Sequence, residues 1–189
     1  MGNDRLTICQ ISDIHCGNAY FIPELLDRTI IEINRANPTV VVVAGDLTDA
    51  GYREEFAQAA EYIARIECEN VMVIPGNHDS RNVGYIHFEE LFGERNPVVH
   101  VNGVSIVAVD STEPDLDHGQ IGRGRYRWIE EQFAAEPASL RVFVCHHHLL
   151  PVPGTGRERN VIYDAGDTID IADLPDVVRS PSALSTGRI

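Results

Sequence analysis

The run Val40-Val41-Val42-Val43-Ala44, closed by Gly45-Asp46, constrains this chain more than any other segment. Four consecutive β-branched residues favour an extended backbone. No polar residue alternates with them, so the strand has to be buried on both faces. Two shorter apolar runs, Leu6 to Ile11 and Val71 to Ile74, share its character. The segments between them have helical periodicity. Pro23 opens one to about Asn34, with Leu25, Leu26, Ile30 and Ile33 on one face. Arg53 to Ile66 is the other, with Phe56, Ala59, Ala60, Ile63 and Ile66 in a stripe. This β-α-β-α-β order predicts a parallel sheet with right-handed crossovers.

The pattern then changes. Val98 to Val101 and Val104 to Val109 flank Asn102-Gly103, the dipeptide that best marks a tight hairpin. A helix is expected over about Tyr126 to Ala135 and a strand over Arg141 to Cys145. Beyond Pro151 the sequence is loop-like, except that Tyr163 to Asp176 is acidic and helix-like. Arg179 to Ile189 has no acids and is rich in Ser, Pro and Arg, as a disordered terminus would be.

Composition removes several function classes. The 189 residues carry 29 acids against 15 bases, a formal net charge of −14, and every base is an arginine. A P-loop needs its lysine, so a Walker-type nucleotide hydrolase is excluded, as is Schiff-base chemistry. The charge disfavours a nucleic-acid partner. Cys9, Cys16, Cys68 and Cys145 form no C-x-x-C, so no structural zinc knuckle is expected. The start, Met1-Gly2-Asn3-Asp4-Arg5, has no apolar signal region, and no apolar run is long enough to cross a bilayer. A cytoplasmic protein with reduced thiols and no membrane partner is the expectation.

The informative polar residues follow the buried strands. Asp13-Ile14-His15 comes after the first, Gly45-Asp46 after the second, Gly76-Asn77-His78-Asp79 after the third, and His146-His147-His148 after the strand at Arg141. Carboxyl ends of parallel strands share one rim, where α/β folds place their sites. Each piece alone is ordinary, a turn or a surface histidine. Four in this order, each at a strand end, form a mixed oxygen and nitrogen donor set suited to Mn, Fe or Zn.

These motifs resemble the calcineurin-like metallophosphoesterases, whose pattern runs D-x-H, G-D, G-N-H-[DE], H and G-H-x-H. The likeness covers roughly residues 5 to 153. With Asp110-Ser111 included, it is greatest to the class III cyclic-nucleotide phosphodiesterase branch. Purple acid phosphatases carry a Tyr where this chain has Asp49, and the Ser/Thr protein phosphatases carry an Arg where it has Ala50. The resemblance implies a β-sandwich flanked by helices, an α/β (αββα) fold. It also implies two divalent metal ions (Mn, Fe or Zn) and hydrolysis of small phosphomono- or phosphodiesters.

Carried over residue by residue, Asp13, His15 and Asp46 hold one ion, and Asp46, Asn77 and His146 hold the other, with Asp46 bridging. His78 matches the catalytic histidine that protonates or stabilises the leaving alkoxide, and Asp79 is the candidate to orient it. His147 is the candidate for substrate contact. Arg123, in the basic cluster with Arg125 and Arg127, could attract an anionic substrate, although a solvated helix entrance suits it as well.

The closing G-H-x-H does not occur: no His follows any glycine after His148. The expectation is a metallophosphoesterase domain over residues 1–160 that stops short at its C-terminus, then a helix-like segment and tail over 161–189. A degenerate domain retained for binding and a DNA-repair-type nuclease are the competing readings. The sequence leaves the oligomeric state open.

Overall fold

The computed structural model describes residues 6–151, 153–154, 161–172 and 177–179. The first half alternates as the apolar pattern requires: β1 (Ile8–Ile11), α1 (Pro23–Ala36), β2 (Val40–Ala44), α2 (Arg53–Ile63) and β3 (Val71–Ile74). The three strands are parallel in the order β1-β2-β3, with Ile8 beside Val40 and Ala44 beside Ile74. Pro23 sits in the first turn of α1, where its missing N–H costs nothing. The helix ends at Asn37, in the left-handed region at φ 47, with its N–H donating to the Asn34 carbonyl.

A 3₁₀ segment, His78–Val83, and α3 (Gly84–Phe92) lead into the second sheet. β4 (Val98–Val101) and β5 (Val104–Ala108) form the antiparallel hairpin expected at Asn102-Gly103, and both turn residues have positive φ, 49 and 76. After α4 (Arg123–Ala134), β6 (Leu140–Val144) joins β5 in parallel. Then α5 (Ala165–Ala172) and β7 (Val177–Arg179) follow, giving the order β4-β5-β6-β7.

Every residue of β2 is buried, and its two faces explain the layers. Val41 and Val43 face α1 and α2, among Leu26, Ile30, Ile33, Phe56 and Ala59. Val40, Val42 and Ala44 face the other sheet, against Val104, Ile106, Ala108, Val142 and Val144. The far side of that second sheet, Val107 and Phe143, packs on Ile129 and Phe133 of α4. The result is helix, sheet, sheet, helix: the αββα sandwich.

Four elements depart from the sequence reading. Phe88 anchors α3 against Phe56, with ring centroids 6.3 Å apart, a contact between distant residues that local periodicity does not display. The helix expected from Tyr126 begins three residues earlier, at Arg123. The helix-like segment Tyr163 to Asp176 is helical over Ala165–Ala172, where Ala165, Ile169 and Ile171 pack on the α4 cluster. β7 is only three residues long and is defined by its pairing with β6. Residues 173–176 and the expected disordered tail at 180–189 lie outside the described residues.

Candidate metal centre

The loops after β1, β2, β3 and β6 meet on one rim and interlock through their backbones. The Asp13 N–H donates to the Gly45 carbonyl at 3.0 Å, and the His15 N–H donates to the Asp46 carbonyl at 2.9 Å. Three of the predicted residues occupy the left-handed region: Asp13 at φ 57, His15 at 52 and Asp46 at 53. Non-glycine residues hold such angles at a cost that the surrounding structure has to meet, and they cluster at functional sites. Two glycines make the approach possible. A Cβ on Gly76 would lie 2.2 Å from Asp46 Oδ1, and one on Gly45 would lie 2.5 Å from His146 Nδ1.

The Asp46 carboxylate is the centre of the arrangement. Oδ2 lies 3.6 Å from His15 Nε2 on one side, and Oδ1 lies 3.5 Å from His146 Nε2 on the other. Asn77 Oδ1 joins that second side, 3.2 Å from His146 Nε2. The backbone N–H of His78 donates to Asp46 Oδ1 at 2.9 Å and fixes the carboxylate plane. Nδ1 of His146 donates to the Ala44 carbonyl at 2.9 Å, so Nε2 is the nitrogen presented to the site. Donor atoms of His15, Asp46 and His78 all lie within 4.8 Å of one another.

These residues fit a cation. Among the described residues Nδ1 of His15 is buried without a hydrogen-bond partner, and imidazole, carboxylate and amide oxygen converge from three loops. Asp13 is more peripheral: its carboxylate is exposed and accepts from Ser12 Oγ, yet its charge still acts on His146.

Burial pulls the His146 imidazolium down, but the Asp46 carboxylate outweighs it and holds the pKa up to about 9. Burial raises Asp46 in turn, yet His146 and His78 hold it well below the usual carboxylate range. Because His146 is held above its unfolded value, its contribution to stability is full below pH 6.5 and is lost as pH rises through about 9. Urea denaturation in chelator is expected to show the metal-free protein losing on the order of 2 kcal/mol between about pH 6.5 and 9.5. A flat or rising stability over that window would contradict the pairing.

The remaining predicted residues are placed as follows. The Asp79 carboxylate is fully buried and turned away from His78. It accepts from the N–H groups of Leu47 (3.1 Å), Thr48 (2.9 Å) and Gly76 (2.8 Å), and from Thr48 Oγ1 (2.7 Å). It therefore ties the Asp46 loop to the Asn77 loop rather than orienting the imidazole. Burial and the Asp46 charge push its pKa up to about 6, against the pull of those donors. His147 is 4% exposed, with Ser111 Oγ 2.8 Å from Nδ1 and the Asp117 carbonyl 3.3 Å from Nε2, which leaves neither nitrogen for substrate. Burial lowers its pKa to about 4, so the ring is neutral. Arg123 pairs with Asp167 of α5 at 3.0 Å, its side chain 84% exposed, and does not line the cleft.

Sequence reasoning missed four residues that the fold brings in. His78 Nδ1 lies 2.6 Å from the Asp49 carbonyl, to which it donates, and the Asp49 carboxylate is 3.8 Å from both His78 Nδ1 and His15 Nδ1. Asn18 Nδ2 donates to Asp49 Oδ1 at 2.7 Å. Arg81 and Asp117 complete the set, paired at 2.7 Å. Asp49 alone carried a signal, three residues beyond Asp46. An open cleft of ≈ 260 Å³ is lined by the polar residues Asp13, His15, Asn18, Asp49 and His78 together with Ile14, Tyr20 and Phe21.

The calcineurin-like phosphoesterase family matches over residues 6–178. The chain belongs to that family. It is 29% identical over 156 residues to a probable glycerophosphodiester phosphodiesterase, GpdQ, of Arcobacter nitrofigilis, covering 75% of this chain and 57% of that one. It is 26% identical to the 3',5'-cyclic adenosine monophosphate phosphodiesterase CpdA of Escherichia coli, covering 93% and 68%. A dimetal phosphatase from Danio rerio superposes with a TM-score of 0.70 at 12% identity, over 92% of this chain and 79% of that one, which bears on the fold alone. The chain spans about half the length of several curated relatives it matches, 57% and 48% for two of them. No helix among the described residues is long and apolar enough to cross a membrane.

Proposed function

We propose that the chain is the core of a phosphodiesterase that hydrolyses small phosphoesters with two divalent cations. The observation that carries this is the Asp46 carboxylate, which offers one oxygen to each of two histidines on opposite sides. Asp13, His15 and Asp46 would hold one cation, and Asp46, Asn77 and His146 the other. When bound, such a pair supplies Lewis acidity to the phosphoryl oxygens and to the attacking water near neutral pH. Asn77 adds a neutral oxygen and keeps the negative charge at the rim low. The mixed donor set suits Mn, and equally Fe or Zn.

The protein's own groups do the rest. His78 is anchored through Nδ1 on the Asp49 carbonyl, which leaves Nε2 to face the reacting group. Its role is to pass a proton to the leaving alkoxide, or to stabilise its charge. The Asp49 carboxylate lies 3.8 Å from the same nitrogen, on the side away from the one left to the substrate. Ile14, Tyr20 and Phe21 add apolar surface to the cleft lining for an organic substituent, which suits a diester better than free phosphate. The named phosphodiesterase relatives support the same preference.

The test is Mn²⁺-dependent cleavage of a chromogenic bis-aryl phosphate, measured with cation and after chelation. The expected result is turnover that chelation abolishes. Hydrolysis equal with and without Mn²⁺ would defeat the reading, and preferential cleavage of DNA would move it to a nuclease.

A further inference from the structure

Asp117 lies on the loop between β5 and α4, outside every motif of the sequence pattern. Its Oδ1 accepts from Arg81 Nη2 at 2.7 Å and from Asn77 Nδ2 at 3.4 Å. A carboxylate without its proton only accepts, so the end of Asn77 that faces it has to be the amide nitrogen. The other end, Oδ1, then points at His146 Nε2, which also lies 3.5 Å from Asp46 Oδ1. Arg81 extends the link: its Nη1 donates to the Asp49 carbonyl at 3.3 Å and lies 3.0 Å from His78 Nδ1.

We propose that the Arg81–Asp117 pair is a clamp, with Asp117 the positioning residue that locks Asn77 so that its oxygen faces the second cation. The proposal rests on the two-cation reading above. Its physical reason is the symmetry of the amide. A carboxamide turned by half a rotation fills the same space but presents N–H donors, which cannot ligate a cation. In the metal-free protein His146 Nε2, 3.2 Å away, also favours Oδ1 whenever that nitrogen carries a proton. A histidine that ligates a cation has no proton left on that nitrogen. Asp117 is then the partner that still distinguishes the two ends of Asn77 among the described residues. Arg81 holds Asp117 in place and ties the loop to the His78–Asp49 pair.

The ion pair itself is exposed, 32% for the Arg81 side chain and 71% for Asp117, so it adds little to folding. That separates orientation from stability and makes the clamp testable. Mn²⁺ is titrated into chelator-stripped protein and the free ion is followed by electron paramagnetic resonance. The wild-type chain, Asp117→Ala and Asp117→Glu are compared, and the melting temperature of each metal-free form is recorded.

The expected result is two Mn²⁺ for the wild type. In Asp117→Ala one of them is weakened about 10–100-fold and the other is unchanged, and Asp117→Glu recovers most of the loss. Melting temperatures should differ by less than about 4 °C. Two unchanged affinities in Asp117→Ala, or both falling together with the melting temperature, would overturn the clamp and leave the two-cation reading intact. Fewer than two Mn²⁺ in the wild type would overturn both.

Discussion

Asparagine in place of Asp46 is expected to cut Mn²⁺-dependent phosphodiester cleavage by at least about 100-fold, more than the loss of any single outer partner. The side chain keeps its shape, and the amide oxygen of the substituted residue can still accept from the His78 N–H, so the loop should stay in place. What disappears is the charge shared between the His15 side and the His146 side. Both proposed cation sites should weaken together, because Asp46 is the residue they would share. A second readout needs no cation. In chelator the variant should lose the stability slope between about pH 6.5 and 9.5, because Asp46 is what raises His146. Turnover close to that of the wild type would sink the bridging role.

Asp79→Ala is expected to destabilise the protein by about 3–5 kcal/mol, lowering its melting temperature by roughly 10 °C. Four donors converge on that carboxylate, three of them backbone N–H groups in the interior. Removing it strands all four. Asp79→Asn should fall between, since its NH₂ would face other donors. Thermal melting in chelator measures this without reference to activity. If Asp79→Ala melted like the wild type yet lost turnover, the residue would be acting on His78 after all, and the tethering role would be wrong.

The parallel half of the fold was legible because β2 is buried on both faces. A strand of that kind has no alternation to disguise, and the helices on either side of it show their own period. The hairpin at Asn102-Gly103 was legible because both residues need positive φ and only a few residue types accept it. Helix α3 was not, since what holds it is Phe88 against Phe56, and nothing local records that contact. The same division runs through the site. Asp13, His15, Asp46, Asn77 and His146 stood out as candidates because each closely follows a strand, and the fold brings those strand ends to one rim. The role of Asp79 was misjudged because adjacency to His78 suggested a partner, whereas the 3₁₀ turn that starts at His78 turns the two side chains apart. Arg123 stood out by composition, but its charge is spent on Asp167.

The residue types and their order therefore determined the layers, the rim and the candidate donors on it, because periodicity and strand-end position are local properties. Tertiary structure alone decided which donors face one another. The Asp46 carboxylate splits between two histidines only because the loops after β1 and β6 arrive from opposite sides. Asp117 meets Asn77 across 40 positions of chain, and Arg81 meets Asp49 across 32. Hydrogen bonds fall off steeply beyond about 3.5 Å. Contacts of that reach between distant residues are set by how the sheets pack and leave no periodic trace in the chain.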